Sequence, residues 1–467
     1  MSSANVTEAF EGEGVPHSPD DARINVQTAL WEDVMQLTNN GFGASRRGAI
    51  KLMVAVFLGS LVASGPVLAQ DSATPDQIKK LLGIDGLDAK ALGTGLKFQL
   101  GIVLALTGPG SYYGRIQGNG AKLAVEQIKA AGGPDIELIF KDHKSADAQA
   151  GARAARELGI ARVPAALTSY VGVIGSMFPG LEQYKILALD GGGGTSDFGQ
   201  GKPYFWGMRA IEPDDDFIGA LKYWNQTDPS IKRVSMVFID QGPINEIVTN
   251  NFKKALEATG HELASTEVTP IGATDYSATI ARLKATNPDA VFLFLIGVDP
   301  GYFMKQYANA GLTKPTIVAE YVSDAAQVAG PVYDEMIFAT DWFDANKPTN
   351  DWAKLFIDSY TKQFNLKPEI YAANYYEDTF AIWDLIRRVI AKGGDVNSGE
   401  QLQQALVDDP KFKSIYGGNG AEPGVITLDT KTHSVTSRPL GVYRANKGDP
   451  VPLAYFDLGG ANFKLVK

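Results

Sequence analysis

Gln99-Leu-Gly-Ile-Val-Leu-Ala-Leu106, then Thr107-Gly-Pro-Gly-Ser-Tyr-Tyr-Gly114, then a helical run closing on Ala130-Ala-Gly-Gly133: these residues decide the fold. A continuous apolar run bounded by turn residues reads as a strand buried on both faces. The Gly/Pro turn ends it, and an amphipathic helix begins just beyond. That order points a loop and a helix N-terminus out of the carboxyl end of a sheet, where open α/β proteins bind small ligands. Tyr112 and Tyr113 on the loop offer flat apolar faces with a hydroxyl handle. The other reading of the same residues is an ordinary first βα unit with a tight turn.

Working outward, strand-like and helix-like runs alternate through the rest of the chain. Strands read at 98–105, 136–141, 164–168, 186–190, 204–209, 233–239, 263–268, 290–296, 316–319, 336–341 and 440–444. Helical runs fall at 115–131, 147–158, 213–225, 245–259, 275–286, 301–310, 350–364 and 372–392, with a short helix over 76–83. Such alternation predicts parallel sheets covered by helices on both faces. Gly132, Gly260 and Gly311 follow helices where a left-handed residue is wanted, Asp299-Pro300 fits a helix start, and Ser145 and Thr274 suit N-caps. The segments "VEQIKAAGGPDIELIFKD" and "KKALEATGHELASTEVTP" share helix, Gly stop and strand. Two similar α/β lobes would produce that repeat, and a chain of 467 residues exceeds one ordinary core.

"GIVLALTGPGSYYG" followed by "NGAKLAVEQIKAAGG" resembles the opening of type I periplasmic substrate-binding proteins, the branched-chain amino-acid-binding group of ABC importers. The resemblance runs from about Phe98 to about Val451. It implies two doubly wound Rossmann-like lobes joined by a three-segment hinge. The crossings would fall near Gly207–Pro213, Ala339–Asn346 and Gly424–Asp429. Lobe 1 would then be 97–209 with 345–425 and lobe 2 213–338 with 428–450, after a lead-in over 70–96 and before a C-terminal segment over 451–467. The ligand would lie between the lobes and be trapped by hinge closure.

Ahead of this lies a leader. Ser45-Arg-Arg-Gly-Ala-Ile-Lys51 precedes an apolar run, Leu52 to Leu68, and then Ala69-Gln70. This reads as a twin-arginine export signal over 1–69 with cleavage after Ala69. The run is broken by Gly59, Ser60, Ser64, Gly65 and Pro66, so it is too interrupted for a membrane span. The chain has no cysteine, hence neither a disulfide nor a lipid-anchored Cys, and a soluble periplasmic protein is expected. With 43 Lys and Arg against 53 Asp and Glu, the net charge is −10. An acidic chain lacks the basic face that nucleic acid requires.

Candidate ligand-binding residues come from strand ends. Ser169-Tyr-Val-Gly-Val-Ile-Gly-Ser176 follows the apolar Val163–Leu167 as a strand-end loop, and free backbone N–H groups at such a loop and helix start attract a carboxylate, which makes Ser169, Tyr170, Val171 and Gly172 candidates. The alternative is a loop that only packs. Amino-acid-binding members of the resembled family carry Ser-Ser-Ser/Thr here. Val171-Gly-Val-Ile174 replaces those hydroxyls, with Ser169, Tyr170 and Ser176 as substitutes, and this puts an α-amino-acid ligand in doubt. Leu189-Asp-Gly-Gly-Gly-Gly-Thr-Ser196 brings a backbone close to something. The resemblance puts Asp190 and Gly191 at the cleft edge; a surface loop is the other reading. Asp240, Asp299 and Glu320 end three strands of the second lobe and could share a cleft wall. A carboxylate closed into a cleft is costly unless it meets a cation or a donor. By resemblance, Glu320 pairs with a ligand ammonium and Tyr371 lies near the cleft. The spacing 372, 376, 380, 383 in the same helix is a core stripe.

His17, His143, His261 and His433 show no metal-site spacing, and neither a nucleophile elbow nor a phosphate loop is present. No cofactor and no metal are expected, and an enzyme is disfavoured. The reading is a monomeric periplasmic solute-binding protein that captures an amino acid or amide and delivers it to the permease of an ABC importer. The alternatives are an aromatic or other organic acid as ligand, a ligand-sensing role for a receptor, and a secreted enzyme using Gly191–Gly194 for phosphate.

Overall fold

A computed structural model describes residues 75–194, 199–209, 213–240, 242, 244–416, 424–447 and 449–466. The twin-arginine motif and the expected cleavage point lie outside these residues.

After two short helices, α1 (Pro75–Leu82) and α2 (Ala89–Leu92), the chain enters the first sheet. It runs β1 (Lys97–Leu104), α3 (Ser111–Ala130), β2 (Asp135–Asp142), α4 (Ala148–Ile160), β3 (Ala165–Thr168), α5 (Val171–Tyr184), β4 (Leu187–Gly194) and β5 (Phe205–Arg209). It then passes to the second: α6 (Pro213–Thr227), β6 (Arg233–Ile239), α7 (Ile244–Thr259), β7 (Glu262–Thr269), α8 (Ser277–Thr286), β8 (Ala290–Phe294), α9 (Asp299–Asn309), β9 (Thr316–Val318), α10 (Ser323–Ala329) and β10 (Ile337–Asp341). It returns through α11 (Asp351–Phe364), α12 (Ile370–Ala391), α13 (Gly399–Asp408), β11 (Lys411–Lys413), β12 (Val425–Asp429) and β13 (Ser434–Val435). The end belongs to the second sheet again, as β14 (Leu440–Asn446), β15 (Asp449–Asp457) and β16 (Ala461–Leu465).

Among the described residues there are two eight-stranded sheets, ordered β11-β12-β13-β5-β4-β3-β1-β2 and β16-β15-β14-β10-β9-β8-β6-β7. Each contains the same parallel block, β2-β1-β3-β4-β5 and β7-β6-β8-β9-β10. The sequence repeat therefore corresponds to a repeated topology, and the expected two-lobed α/β fold is what the chain forms. The central strands are apolar because helices cover both faces: Leu100, Ile102, Val103 and Leu104 of β1 are all fully buried. Both sheets reverse strand order beside their first strand, so each has a crevice at its carboxyl edge there.

Three details depart from expectation. The third crossing is not at Gly424–Asp429: β12 pairs with β13, which pairs with β5, so lobe 1 continues to Val435 and the crossing is 436–439. Residues 451–467 are not a separate segment, because β15 and β16 extend the second sheet through β14. The capping assignments also shift. Asp147 caps α4 by accepting from the N–H groups of Gln149 and Ala150, and α8 has no side-chain cap. Ser145 instead ties two loops together, donating to the Thr107 carbonyl at 2.7 Å and accepting from the Gly110 N–H at 2.9 Å. Tyr376, Phe380 and Trp383 pack in the core, as the helical stripe predicts.

Candidate functional site

The strand-end loop and helix start expected over 169–176 is nearly all helix, α5 beginning at Val171. Tyr170 is the N-cap of α5, with φ +72°, and no side chain caps the helix. A non-glycine residue held there costs about 1–3 kcal/mol. The Tyr170 carbonyl takes the N–H groups of Val173 and Ile174. The first-turn N–H groups of Val171 and Gly172 are thus uncapped by side chains, as an anion-binding helix start requires. The Tyr170 hydroxyl is shut from solvent without a hydrogen-bond partner. It lies so close to Gly110 that a side chain there would collide with it. Ser169 turns away from this site: its hydroxyl meets His143 Nε2 at 3.0 Å, and the His143 ring packs 4.9 Å from that of Tyr170. Burial pushes the His143 pKa down to about 4, so the ring is neutral at pH 7.

The Asp190 loop is organised by its own acid. Asp190 Oδ1 accepts from the N–H groups of Gly192 and Gly193, and Oδ2 from the Thr168 hydroxyl at 2.8 Å. Burial nonetheless raises its pKa to about 7. The close approach that the glycines permit is toward α12. A Cβ on Gly191 would sit 2.2 Å from Asp378 Oδ2, and the Gly191 carbonyl accepts from Asn374 Nδ2 at 2.9 Å.

Lobe 2 brings Glu320 and Asp299 to the same place but leaves Asp240 outside. Asp240 is exposed and accepts from the Gly242 N–H and from Asn245 Nδ2 at the start of α7. Asp299, at the start of α9, is buried. Its Oδ2 accepts from the Gly272 N–H at 2.8 Å, while Oδ1 has no partner. Burial raises its pKa to about 6. Glu320 is gripped from lobe 1: Tyr113 donates to Oε1 and Tyr371 to Oε2. The Tyr113 hydroxyl also accepts the Gly297 N–H at 2.9 Å, and the Tyr371 hydroxyl accepts from Arg209 Nη1 at 2.9 Å. The two rings meet edge to face at 5.1 Å. Burial and the Glu320 charge hold the Tyr113 phenol far above its ordinary pKa, so it stays a donor. Burial also raises the Glu320 pKa, opposed by Arg209 and the two phenols. Pro109 of lobe 1 seats against Gly297, whose φ is +57° and whose Cβ would stand 2.7 Å from the Pro109 carbonyl oxygen. The lobes are closed on one another in this structure.

Tyr113, Tyr170, Asp299, Glu320 and Tyr371 are thus gathered with the uncapped start of α5, while Asp190 and Asp240 are spent on local backbone. Tyr112, one residue from Tyr113, faces another way, with its hydroxyl 3.3 Å from Ser323 Oγ. Sequence reasoning missed the charged residues at the three crossings. Arg209 ends β5, Asp341 ends β10 and Arg438 lies in the third crossing. Arg209 Nε is 2.8 Å from Asp341 Oδ2, Arg438 Nε is 3.9 Å from Asp341 Oδ1, and Arg438 Nη2 donates to Glu377 Oε1 at 2.7 Å. The available signal was a charge closing an apolar strand, as in Phe205-Trp-Gly-Met-Arg209.

Two lobes that close a mixed polar and aromatic cleft about three crossings define a class, and comparison places the chain within it. The family model described as periplasmic binding protein matches residues 97–449, and the chain belongs to that family. It is similar to a Leu/Ile/Val-binding protein homolog 1 of Brucella suis biovar 1, with 24% identity over 327 residues covering 68% of this chain and 84% of the relative. Its fold is that of a leucine binding protein, LivK, from Thermotoga maritima, with TM-score 0.65 and 18% identity over 78% of this chain and 99% of the other. A solute binding protein of an R. palustris ABC transporter, solved with benzoate, matches at TM-score 0.66 and 18% identity over 79% and 98%. The expectation of a periplasmic binding protein of the ABC-transporter type stands on these matches. Among the described residues no helix is long and apolar enough to cross a membrane.

Proposed function

We propose that the chain captures a small amino acid or amide between its lobes and presents it, closed, to the permease of an ABC importer. The observation that carries this is the inter-lobe cluster in which Glu320 of lobe 2 is held by Tyr113 and Tyr371 of lobe 1. Beside it stand two groups suited to a dipolar ligand. The uncapped start of α5 and the unpaired Tyr170 hydroxyl favour a carboxylate or carbonyl oxygen. The Asp299 carboxyl, with one oxygen unpaired, favours an ammonium or amide N–H. The role proposed is binding without turnover.

A second reading is supported by one observation. Tyr113, Tyr170 and Tyr371 pack ring to ring, and Val173 and Ile174 stand where a serine-rich start would be polar. An aromatic or other organic acid would use the same helix start and stack on these rings, leaving Asp299 idle. A thermal-shift screen of amino acids, amides, aromatic acids and nucleotides separates the readings. A ligand at about 100 times its Kd stabilises the folded chain by about 2.7 kcal/mol. Stabilisation by amino acids or amides supports the first reading and by aromatic acids alone the second; stabilisation by nucleotides alone defeats both.

Export is proposed through the twin-arginine signal of residues 1–69, with cleavage after Ala69 and a monomeric mature protein. Replacement of Arg46 and Arg47 by lysine should block export, and undiminished export would refute this route.

A further inference from the structure

A cavity lies beside the second crossing, whose residues Phe343 to Asn346 line it. It has a volume of about 270 Å³, and its walls come from both lobes. Tyr113, Glu320 and Tyr371 do not line it, whereas their chain neighbours Tyr112, Tyr321 and Ile370 do. The bonded trio therefore adjoins this chamber without forming its lining. Aromatic rings form part of its lining: Tyr112, Tyr321, Phe338, Phe343, Tyr360 and Tyr443 all contribute.

Its charges are unbalanced in one direction. The cations lining it are Arg115 and Lys367, and each is engaged across the lobes by a carboxylate. Arg115 meets Asp324 at 3.5 Å, and Lys367 meets Asp449 at 2.6 Å. Glu369 also lines the chamber, yet the hydrogen-bonding groups beside it are the neutral hydroxyls of Tyr112 and Ser323. Burial keeps its pKa up at about 7, with the charges of Glu320 and Asp324 adding to the rise. An acid among ring faces, with the nearby cations already paired, is complementary to a cation with an apolar body.

We propose that this hinge chamber is a second binding site, for a small organic ammonium, distinct from the ligand cleft. The walls belong to different lobes, and the pairs Arg115–Asp324 and Lys367–Asp449 join the lobes at its lining. An occupant consequently favours closure, and by linkage it tightens binding in the cleft as much as the cleft ligand tightens the chamber. This coupling rests on the closure mechanism proposed above; occupancy of the chamber does not depend on what the cleft binds.

The test uses benzyltrimethylammonium and its uncharged isostere neopentylbenzene, each added to the full chain with no cleft ligand present. Thermal unfolding is followed for the wild type, Glu369→Gln and Asp299→Asn. The ammonium is expected to raise the unfolding temperature of the wild type and of Asp299→Asn, with a clearly smaller shift for Glu369→Gln, and the isostere to do little. No shift in the wild type, an equal shift from the isostere, or a shift retained in Glu369→Gln would overturn the proposal. A shift lost in Asp299→Asn and kept in Glu369→Gln would also overturn it, by putting the ammonium in the cleft. If Glu369→Gln does not fold, the comparison of ammonium with isostere decides alone. A screen in which no amino acid or organic acid binds would damage the importer reading but leave the ammonium result intact.

Discussion

Arg209 Nε lies 2.8 Å from Asp341 Oδ2, which joins the last residue of β5 to the last residue of β10. These residues stand at two of the three crossings, and Arg438 at the third approaches the other oxygen of Asp341. The hinge is therefore a buried charge cluster. The same Arg209 donates to the Tyr371 hydroxyl, which donates to Glu320, so the hinge and the cleft share one chain of hydrogen bonds.

Removing Arg209 should be severe. Arg209→Gln leaves Asp341 buried with its nearer cation gone, and breaking such a pair costs about 3–5 kcal/mol. Arg209→Gln with Asp341→Asn should recover part of the loss. Urea unfolding midpoints of the single and double variants check this; a double variant no more stable than the single would contradict it.

Asp299→Asn discriminates between the two ligand readings. For an amino acid or amide, loss of the charged partner with the unpaired oxygen should weaken binding by about 1.5–3 kcal/mol. For an aromatic acid the change should be slight, because that ligand leaves Asp299 idle. Calorimetric titration with the ligand found by screening reads the difference.

Gly297→Ala should impair closure more than folding. The new Cβ would meet the Pro109 carbonyl oxygen across the lobes, and φ of +57° adds about 1 kcal/mol of strain within lobe 2. Ligand affinity is expected to fall about tenfold or more, beyond what that strain explains. Equal affinity of variant and wild type would mean that the lobes do not close as this structure has them.

The pH dependence of stability carries a definite sign. Burial raises Asp190 and Glu369 to about 7 and Asp299 to about 6, all above their unfolded values. Between those values and about pH 4 the folded chain binds more protons at these groups than the unfolded one, so they add stability as pH falls from 7.5 toward 5. His143, lowered to about 4, acts oppositely below its unfolded pKa of 6.5. His261, also lowered by burial, acts with His143, while burial raises Glu320, Glu377 and Asp378 as well; the carboxylates outnumber the imidazoles and predict a net rise, measured as the urea midpoint at pH 7.5 and pH 5. Asp190→Asn should flatten it.

The order of strands and helices was legible in the chain because burial on both faces demands unbroken apolar runs such as Leu100–Leu104, and glycine stops mark the helix ends. The weak repeat foretold two lobes. Short strands with little apolar signal were not legible: β11, β12 and β13 contain Lys411, Lys413, Thr427 and Ser434, and their place in sheet 1 is fixed only by pairing. At 169–176 a loop leading into a helix start was legible, but not that the helix begins as early as Val171, because Val-Gly-Val-Ile carries no N-cap signal.

By itself the sequence determined the class of fold, the two-lobe plan and the acidic, cysteine-free character of the chain, since each follows from local pattern or composition. Only the tertiary structure decided which polar residues meet. Tyr113, Glu320 and Tyr371 are far apart in sequence, as are Arg209, Asp341 and Arg438, and no local rule links them. They converge because three crossings return the chain to the same seam, where a buried charge is tolerable only beside a partner.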